Sequence, residues 1–160
     1  DYDSPTRIVE AVVKVNDTRT RAMGRKVLDA LGGADNARGK KVALLGLTFK
    51  PNTDDMRDAP SLTIVPALVG NGAKVRVVDP QGAREGKDLL PGVAWHDDPY
   101  EAAQEADAVV LLTEWNEFRA LDLTRLSKGM AQARMADLRN IYSRQDALSA
   151  GFATYDAIGR

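Results

Sequence analysis

The chain has 160 residues, and its 22 basic and 23 acidic side chains are mixed along the sequence for a net charge of -1. It lacks the basic stripe or tail of a nucleic-acid or membrane-surface protein, so neither kind of partner is expected. Cys is absent and His96 is the single histidine, which excludes disulfides, thiolate metal sites and a cysteine nucleophile within this chain and argues against a histidine-rich metal site or a Ser-His-Asp triad.

A chain of this length is expected to form one domain with a real core, plus one accessory element. No apolar run approaches a bilayer span and no signal-peptide-like start is present, so the expected location is cytoplasmic. His96, beside Asp97 and Asp98, reads as a solvated loop histidine.

The first predicted element is a long helix. Ser4-Pro5 supplies an N-cap followed by Pro at the first helical position. Ile8, Val12, Val15, Arg19, Met23, Val27 and Leu31 then recur at spacings of three and four, and Gly32-Gly33 stops the pattern. Such a helix, about 39 Å long at 1.5 Å per residue, is longer than a small domain needs. It reads either as a linker or dimer-forming helix, assigned to residues 1–33, or as an ordinary amphipathic helix folded onto its own domain.

Beyond it the pattern alternates. Residues 41–47 read as a strand, 61–71 as a helix stopped by Gly72, and 74–78 as a second strand ending at Asp79-Pro80. A polar loop through Gly92 leads to a short strand at 93–95, and Asp98-Pro99 caps a short helix over 99–105. Residues 108–113 are the most apolar strand, followed by short helices near 115–121 and 123–128. Strands at 134–138 and 154–158 flank a helix at 143–150. This alternation predicts an α/β fold, a Rossmann-like doubly wound and largely parallel sheet over 34–160, preceded by the long helix.

The connection after the first strand is long for a βα loop, and such loops are usually functional. It places Phe49, Lys50 and Arg57 beyond the carboxyl end of a strand, where α/β sheets bind ligands. Lys50 is placed to reach an anion on the sheet edge, with Phe49 as an apolar surface beside it. Arg57 stands among acids and reads either as an ion-paired loop organiser or as a bidentate phosphate contact. Asp54, Asp55 and Asp58 read as loop-ordering groups and helix caps rather than metal ligands, and no metal site is expected. The loop lacks the Gly-x-Gly-x-x-Gly of a dinucleotide site and the spacing of a P-loop. Arg139, after the strand ending at Asp137, is expected at the same edge as Lys50, where the two could bracket a diphosphate. Trp115 reads as a pocket wall or, more strongly, as core. Asp79 sits where a nicotinamide-binding unit keeps its ribose-binding acid, a weak signal without the glycines.

The run 46–61, Gly-Leu-Thr-Phe-Lys-Pro-Asn-Thr-Asp-Asp-Met-Arg-Asp-Ala-Pro-Ser, resembles the signature of the carboxyl-terminal domain of the UDP-glucose 6-dehydrogenases, within the UDP-glucose/GDP-mannose dehydrogenase family. So do Thr113-Glu114-Trp115 with Phe118, Asp137-Leu138-Arg139-Asn140, and the closing Gly151-Phe152 with Ile158-Gly159-Arg160. The helix bearing Val15-Asn16 resembles that family's central, dimer-forming helix. The resemblance implies an NAD-dependent, four-electron oxidation of a nucleotide sugar to its carboxylate through a cysteine-bound intermediate. It implies substrate contacts at Phe49, Lys50 and Arg139, a cofactor contact at Arg57, a UDP-sugar ligand and a homodimer. NAD would be held mainly by an N-terminal domain. The absence of Cys and of the glycine fingerprint implies no catalytic residue here and a fragment inactive alone. A GDP-mannose or UDP-N-acetyl-sugar enzyme, or a stand-alone nucleotide-binding module, are the alternatives.

Overall fold

The computed structural model describes residues 3–159, with side chains from residue 7 onward. Helix α1 spans Asp3–Ala30 and so takes in Ser4 and Pro5; the cap expected of Ser4 lies outside the described side chains, as Arg160 lies outside the described residues. The helix ends in a Schellman motif, with Gly33 N–H donating to Leu28 O at 2.9 Å and Gly32 N–H to Asp29 O at 3.0 Å. Gly32 takes φ +94, a conformation that costs glycine little.

The elements that follow are β1 (Lys41–Leu45), α2 (Ser61–Gly70), β2 (Lys74–Val78), α3 (Ala83–Leu89), β3 (Ala94–Trp95), α4 (Pro99–Ala103), β4 (Ala108–Leu111), α5 (Asn116–Arg119), α6 (Leu123–Gly129), β5 (Arg134–Asp137), α7 (Arg144–Ser149) and β6 (Thr154–Ala157). The strands form one six-stranded sheet in the order β3-β2-β1-β4-β5-β6, every pair parallel. The order reverses between β1 and β4, the switch point at which doubly wound sheets bind ligands.

Parallel strands buried on both faces read as apolar runs, and β1 divides its residues accordingly. Val42 and Leu44 pack with Val27, Leu31, Ile64 and Leu68 from α1 and α2. Ala43 and Leu45 point the other way, toward Ala102, Phe118, Leu126 and Ala147 from α4 to α7. That is the period-two alternation of a strand serving two cores.

Helix α1 changes character along its length. Val27 and Leu31 are fully buried, Arg134 Nη1 donates to Ala30 O at 3.1 Å, and the Lys26 ammonium donates to Ala157 O. Every residue from 7 to 19 is exposed, including Ile8, Val9, Val12, Val13 and Val15.

Three expectations are corrected. The stretch expected to be loop after Asp79 contains α3, whose Gly86 faces Trp95; a Cβ there would sit 2.6 Å from the Trp95 ring. The first strand stops at Leu45 because Gly46 adopts φ +94. His96 lies in a loop as expected but is partly rather than fully solvated: its side chain is 25% exposed, with Nδ1 3.9 Å from Glu101 Oε2. Among the described residues, no helix is long and apolar enough to cross a membrane.

Candidate functional site

The site begins at a glycine. A Cβ on Gly46 would fall 2.5 Å from Thr113 Cβ and 2.6 Å from Thr113 N, so only glycine lets the ends of β1 and β4 meet. Gly46 N–H donates to Val78 O at 2.9 Å, which draws in the end of β2.

From this junction the loop 46–60 departs with its base fixed from three sides. Asp79 Oδ2 accepts from Leu47 N–H at 2.6 Å and Thr48 N–H at 3.1 Å, while the Thr48 hydroxyl donates to Lys50 O at 3.0 Å. Asp79 Oδ1 accepts from Gln81 N–H at 3.0 Å and Gly82 N–H at 2.6 Å. The Thr113 hydroxyl donates to Thr48 O at 2.8 Å, and the Ser61 hydroxyl to Leu47 O at 2.7 Å. Phe49 N–H closes the mouth of the loop on Asp55 O at 3.0 Å. Met56 and Ala59 are buried and fasten the return limb to the core. Asn52 and Asp58 take the left-handed turns at φ 64 and 55, which their short polar side chains tolerate.

Phe49 and Lys50, at the mouth of this pinned loop, are exposed. The Lys50 ammonium has no hydrogen-bond or ion-pair partner among the described residues, and Phe49 is 47% exposed. Arg139 joins them from the end of β5. Its Nε donates to Leu112 O at 2.8 Å and its Nη2 to Phe49 O at 3.3 Å. The turn beneath it is organised by Asp137, fully buried, which accepts from Arg139 N–H at 3.2 Å, Tyr142 N–H at 2.9 Å and the Tyr155 hydroxyl at 2.9 Å. The structure thus brings Phe49, the Lys50 loop and Arg139 to one edge.

Arg57 stands apart. Its side chain is 87% exposed and grips Asp55 with two parallel bonds, Nε to Oδ1 at 3.0 Å and Nη2 to Oδ2 at 3.1 Å. The hydrogen bonds from Arg57 hold the Asp55 carboxyl below its ordinary value, with the Lys50 charge adding to the effect. Asp55 raises Arg57 in return. Asp55 is therefore a partner for Arg57. The expected helix caps are not found: α2 starts behind Pro60 with no side-chain cap.

Two further residues belong to this edge in roles the sequence did not show. Glu114 Oε2 lies 3.3 Å from Arg139 Nε, a pairing whose only trace in the sequence is the strand-end position of Thr113-Glu114. Asp79 has both oxygens occupied by its own loop, so it organises the Lys50 loop and is not free for a ribose. Trp115 is core, 4% exposed and packed with Phe118. Among the described residues no three His, Asp or Glu side chains group as a metal site. A cleft of about 420 Å³ lined by Asp98, Tyr100, Glu101, Gln104, Arg125 and Gly129 shares no residue with this edge. The edge is an open shelf: two cations, an aromatic ring and a fixed loop, suited to an anionic ligand laid along the sheet.

The profile of the UDP-glucose/GDP-mannose dehydrogenase family, UDP binding domain, matches residues 43–144. The chain is 54% identical over all its 160 residues to a UDP-glucose 6-dehydrogenase of Rhizobium meliloti (strain 1021), of which it covers 36%. Its fold matches a crystal structure of an NDP-N-acetyl-D-galactosaminuronic acid dehydrogenase from Methanosarcina mazei Go1 with a TM-score of 0.78 and 32% identity, covering 92% of this chain and 30% of that one. It matches a UDP-glucose dehydrogenase from Pyrobaculum islandicum with a TM-score of 0.72 and 28% identity, covering 94% of this chain and 32% of that one. The chain thus spans about a third of the length of the proteins it matches.

Proposed function

The chain belongs to the UDP-glucose/GDP-mannose dehydrogenase family, and on that basis we propose that it is the UDP-binding part of an NAD-dependent UDP-glucose 6-dehydrogenase, holding the nucleotide while other parts of the protein carry out the oxidation to UDP-glucuronate. The observation that carries this reading is the meeting of the Lys50 loop and Arg139 at the switch-point edge through the Arg139–Phe49 hydrogen bond. Lys50 and Arg139 neutralise the diphosphate, and Phe49 offers its ring beside it. What the residues supply is position: holding a substrate in a reactive geometry lowers the barrier without touching the bonds that change. Charge-assisted bonds to phosphate are stronger than neutral ones, and the pinned loop presents Lys50 with little left to order. The nucleophile comes from outside these residues, which include no Cys.

NAD, when bound, accepts the hydrides of the reaction. The sheet edge of this chain does not fit it: both Asp79 oxygens are occupied by four backbone N–H donors of its own chain, and the glycine turn is missing. The bulk of the dinucleotide therefore belongs to an N-terminal domain, with Arg57 reaching it by exchanging Asp55 for a phosphate. UDP-glucose is the preferred sugar because the 54% identical relative is a UDP-glucose 6-dehydrogenase. An N-acetylated sugar is the second reading, favoured by the 32% identity to the Methanosarcina enzyme. The exposed aliphatic half of α1 supports a homodimer formed through residues 1–33, leaving 34–160 as the nucleotide-binding unit, in a cytoplasmic enzyme serving polysaccharide synthesis. In the intact protein, Lys50→Ala raises the apparent KM for the UDP-sugar; unchanged kinetics would refute the role.

A further inference from the structure

Arg139 does not meet an incoming anion as a bare cation. Glu114 Oε2 lies 3.3 Å from its Nε, and the two side chains are equally shielded at 29% exposure. Yet the single Nε proton goes to Leu112 O and an Nη2 proton to Phe49 O. Two backbone carbonyls therefore hold the guanidinium in place whether or not Glu114 is there. Glu114 Oε2 is buried and accepts no hydrogen bond among the described residues. A buried carboxylate oxygen left without a donor is unfavourable, and its presence calls for a reason. What Glu114 adds is negative charge beside Arg139, where the surroundings screen it less than water does.

We propose that Glu114 is a specificity-determining counter-ion: it cancels the charge of Arg139 in the empty site and so rejects anions that engage Arg139 alone. A single phosphate at Arg139 gains one cation and is repelled by Glu114. A diphosphate reaches Lys50 as well, whose ammonium makes no ion-pair contact among the described residues, the nearby Asp55 being gripped by Arg57, and the second cation offsets the repulsion. The inference rests on the reading of Lys50 and Arg139 as the diphosphate pair. Asp55 differs from Glu114 in kind, because it binds Arg57 through two hydrogen bonds at an exposed site.

The test is calorimetry on the intact protein with UDP and with inorganic phosphate, the latter also as a competitor of UDP. Glu114→Gln keeps the shape and removes the charge. Its phosphate affinity rises about three- to tenfold, its UDP affinity rises less, and the UDP-to-phosphate ratio falls, as expected from removing one charge several ångströms from the anion. In Glu114→Gln/Arg139→Gln the gain disappears. Glu114→Asp, which withdraws the carboxylate by one methylene, moves phosphate affinity the same way by a smaller factor. A rise cannot come from damage to the fold, which only weakens binding; unchanged or weaker phosphate binding in a Glu114→Gln protein whose Tm matches wild type overturns the proposal. If Arg139→Gln leaves UDP affinity unchanged, the underlying diphosphate reading fails instead; if Arg139→Gln weakens UDP while Glu114→Gln changes nothing, only the role of Glu114 falls.

Discussion

Replacing Asp79 by asparagine removes a charge and one acceptor from the point where the Lys50 loop leaves the sheet. Asp79 is only 8% exposed, and each of its oxygens receives two backbone amides: Leu47 and Thr48 on one, Gln81 and Gly82 on the other. Asparagine has one carbonyl and one NH2 group. Whichever way it turns, the NH2 faces two N–H donors, so a pair of amides loses its acceptor and gains a repulsive neighbour. Hydrogen bonds to a charged group contribute about 1.5–3 kcal/mol each, and a buried donor left unpaired costs about as much. The loss of two, partly relieved by water at the loop, comes to about 3–4 kcal/mol. Against a total stability of about 5–15 kcal/mol that is a large fraction, and it lowers Tm by about 10 °C for a domain of this size. Urea unfolding and scanning calorimetry measure it directly, with an unchanged m-value showing that the denatured state is not the cause. The loosened loop also weakens UDP binding through Lys50. A loss below about 1 kcal/mol would refute the reasoning, because it would mean that the amide pairs find other acceptors.

Gly46→Ala places a methyl against the backbone of Thr113 at a residue with φ +94, and strain of both kinds predicts a loss of about 3 kcal/mol or more in urea unfolding. The same change at Gly39, also at positive φ but with nothing within 4 Å of the added Cβ, costs less; equal losses would contradict the steric account. Burial raises the Tyr142 phenol above its ordinary value, a shift moderated by the bond it accepts from Leu121 N–H. Its contribution to stability is therefore fully present below the unfolded tyrosine value of about 10, and is lost as pH rises through the higher folded value. Spectrophotometric titration finds Tyr142 ionising late, and Tyr142→Phe removes that late step; a normal titration would contradict the burial. Val12→Glu puts a charge into the exposed aliphatic stretch of α1, where Val12 is 53% exposed, and shifts sedimentation from dimer toward monomer with little change in Tm. A wild-type protein that sediments as a monomer at high concentration would remove the dimer.

Patterns local in the chain were legible, as was the meeting of Arg139 with the Lys50 loop at one edge; individual side-chain pairings across the chain were not. Runs such as 41–45 and 108–111 announce strands because a parallel strand buried on both faces must be apolar throughout, and the length of the 46–60 connection marks the ligand edge. Helix α3 was hidden by Gly82 and Gly86, residues that usually signal a turn. Gly86 is there because the Trp95 ring rests against the helix, and that contact becomes visible only once β3 is in place. Glu114 and Arg139 are 25 positions apart in number, and only the adjacency of β4 and β5 makes them a pair. Asp79 was placed at the correct strand end, but its saturation by loop amides depends on how the loop folds back, which spacing does not encode. His96 looked solvated among acids, yet Glu101 on the next helix turns toward it.

The most direct measurement of the central claim is calorimetric titration of the intact protein with UDP, comparing wild type, Lys50→Ala, Arg139→Gln and the double variant. Each single change removes a cation from the diphosphate, and charge-assisted bonds of this kind contribute about 1.5–3 kcal/mol, so each weakens UDP about 10- to 100-fold, Lys50→Ala at unchanged Tm. The double variant falls short of the sum, because the two cations share one ligand. UDP affinity that is indifferent to both substitutions would contradict the account.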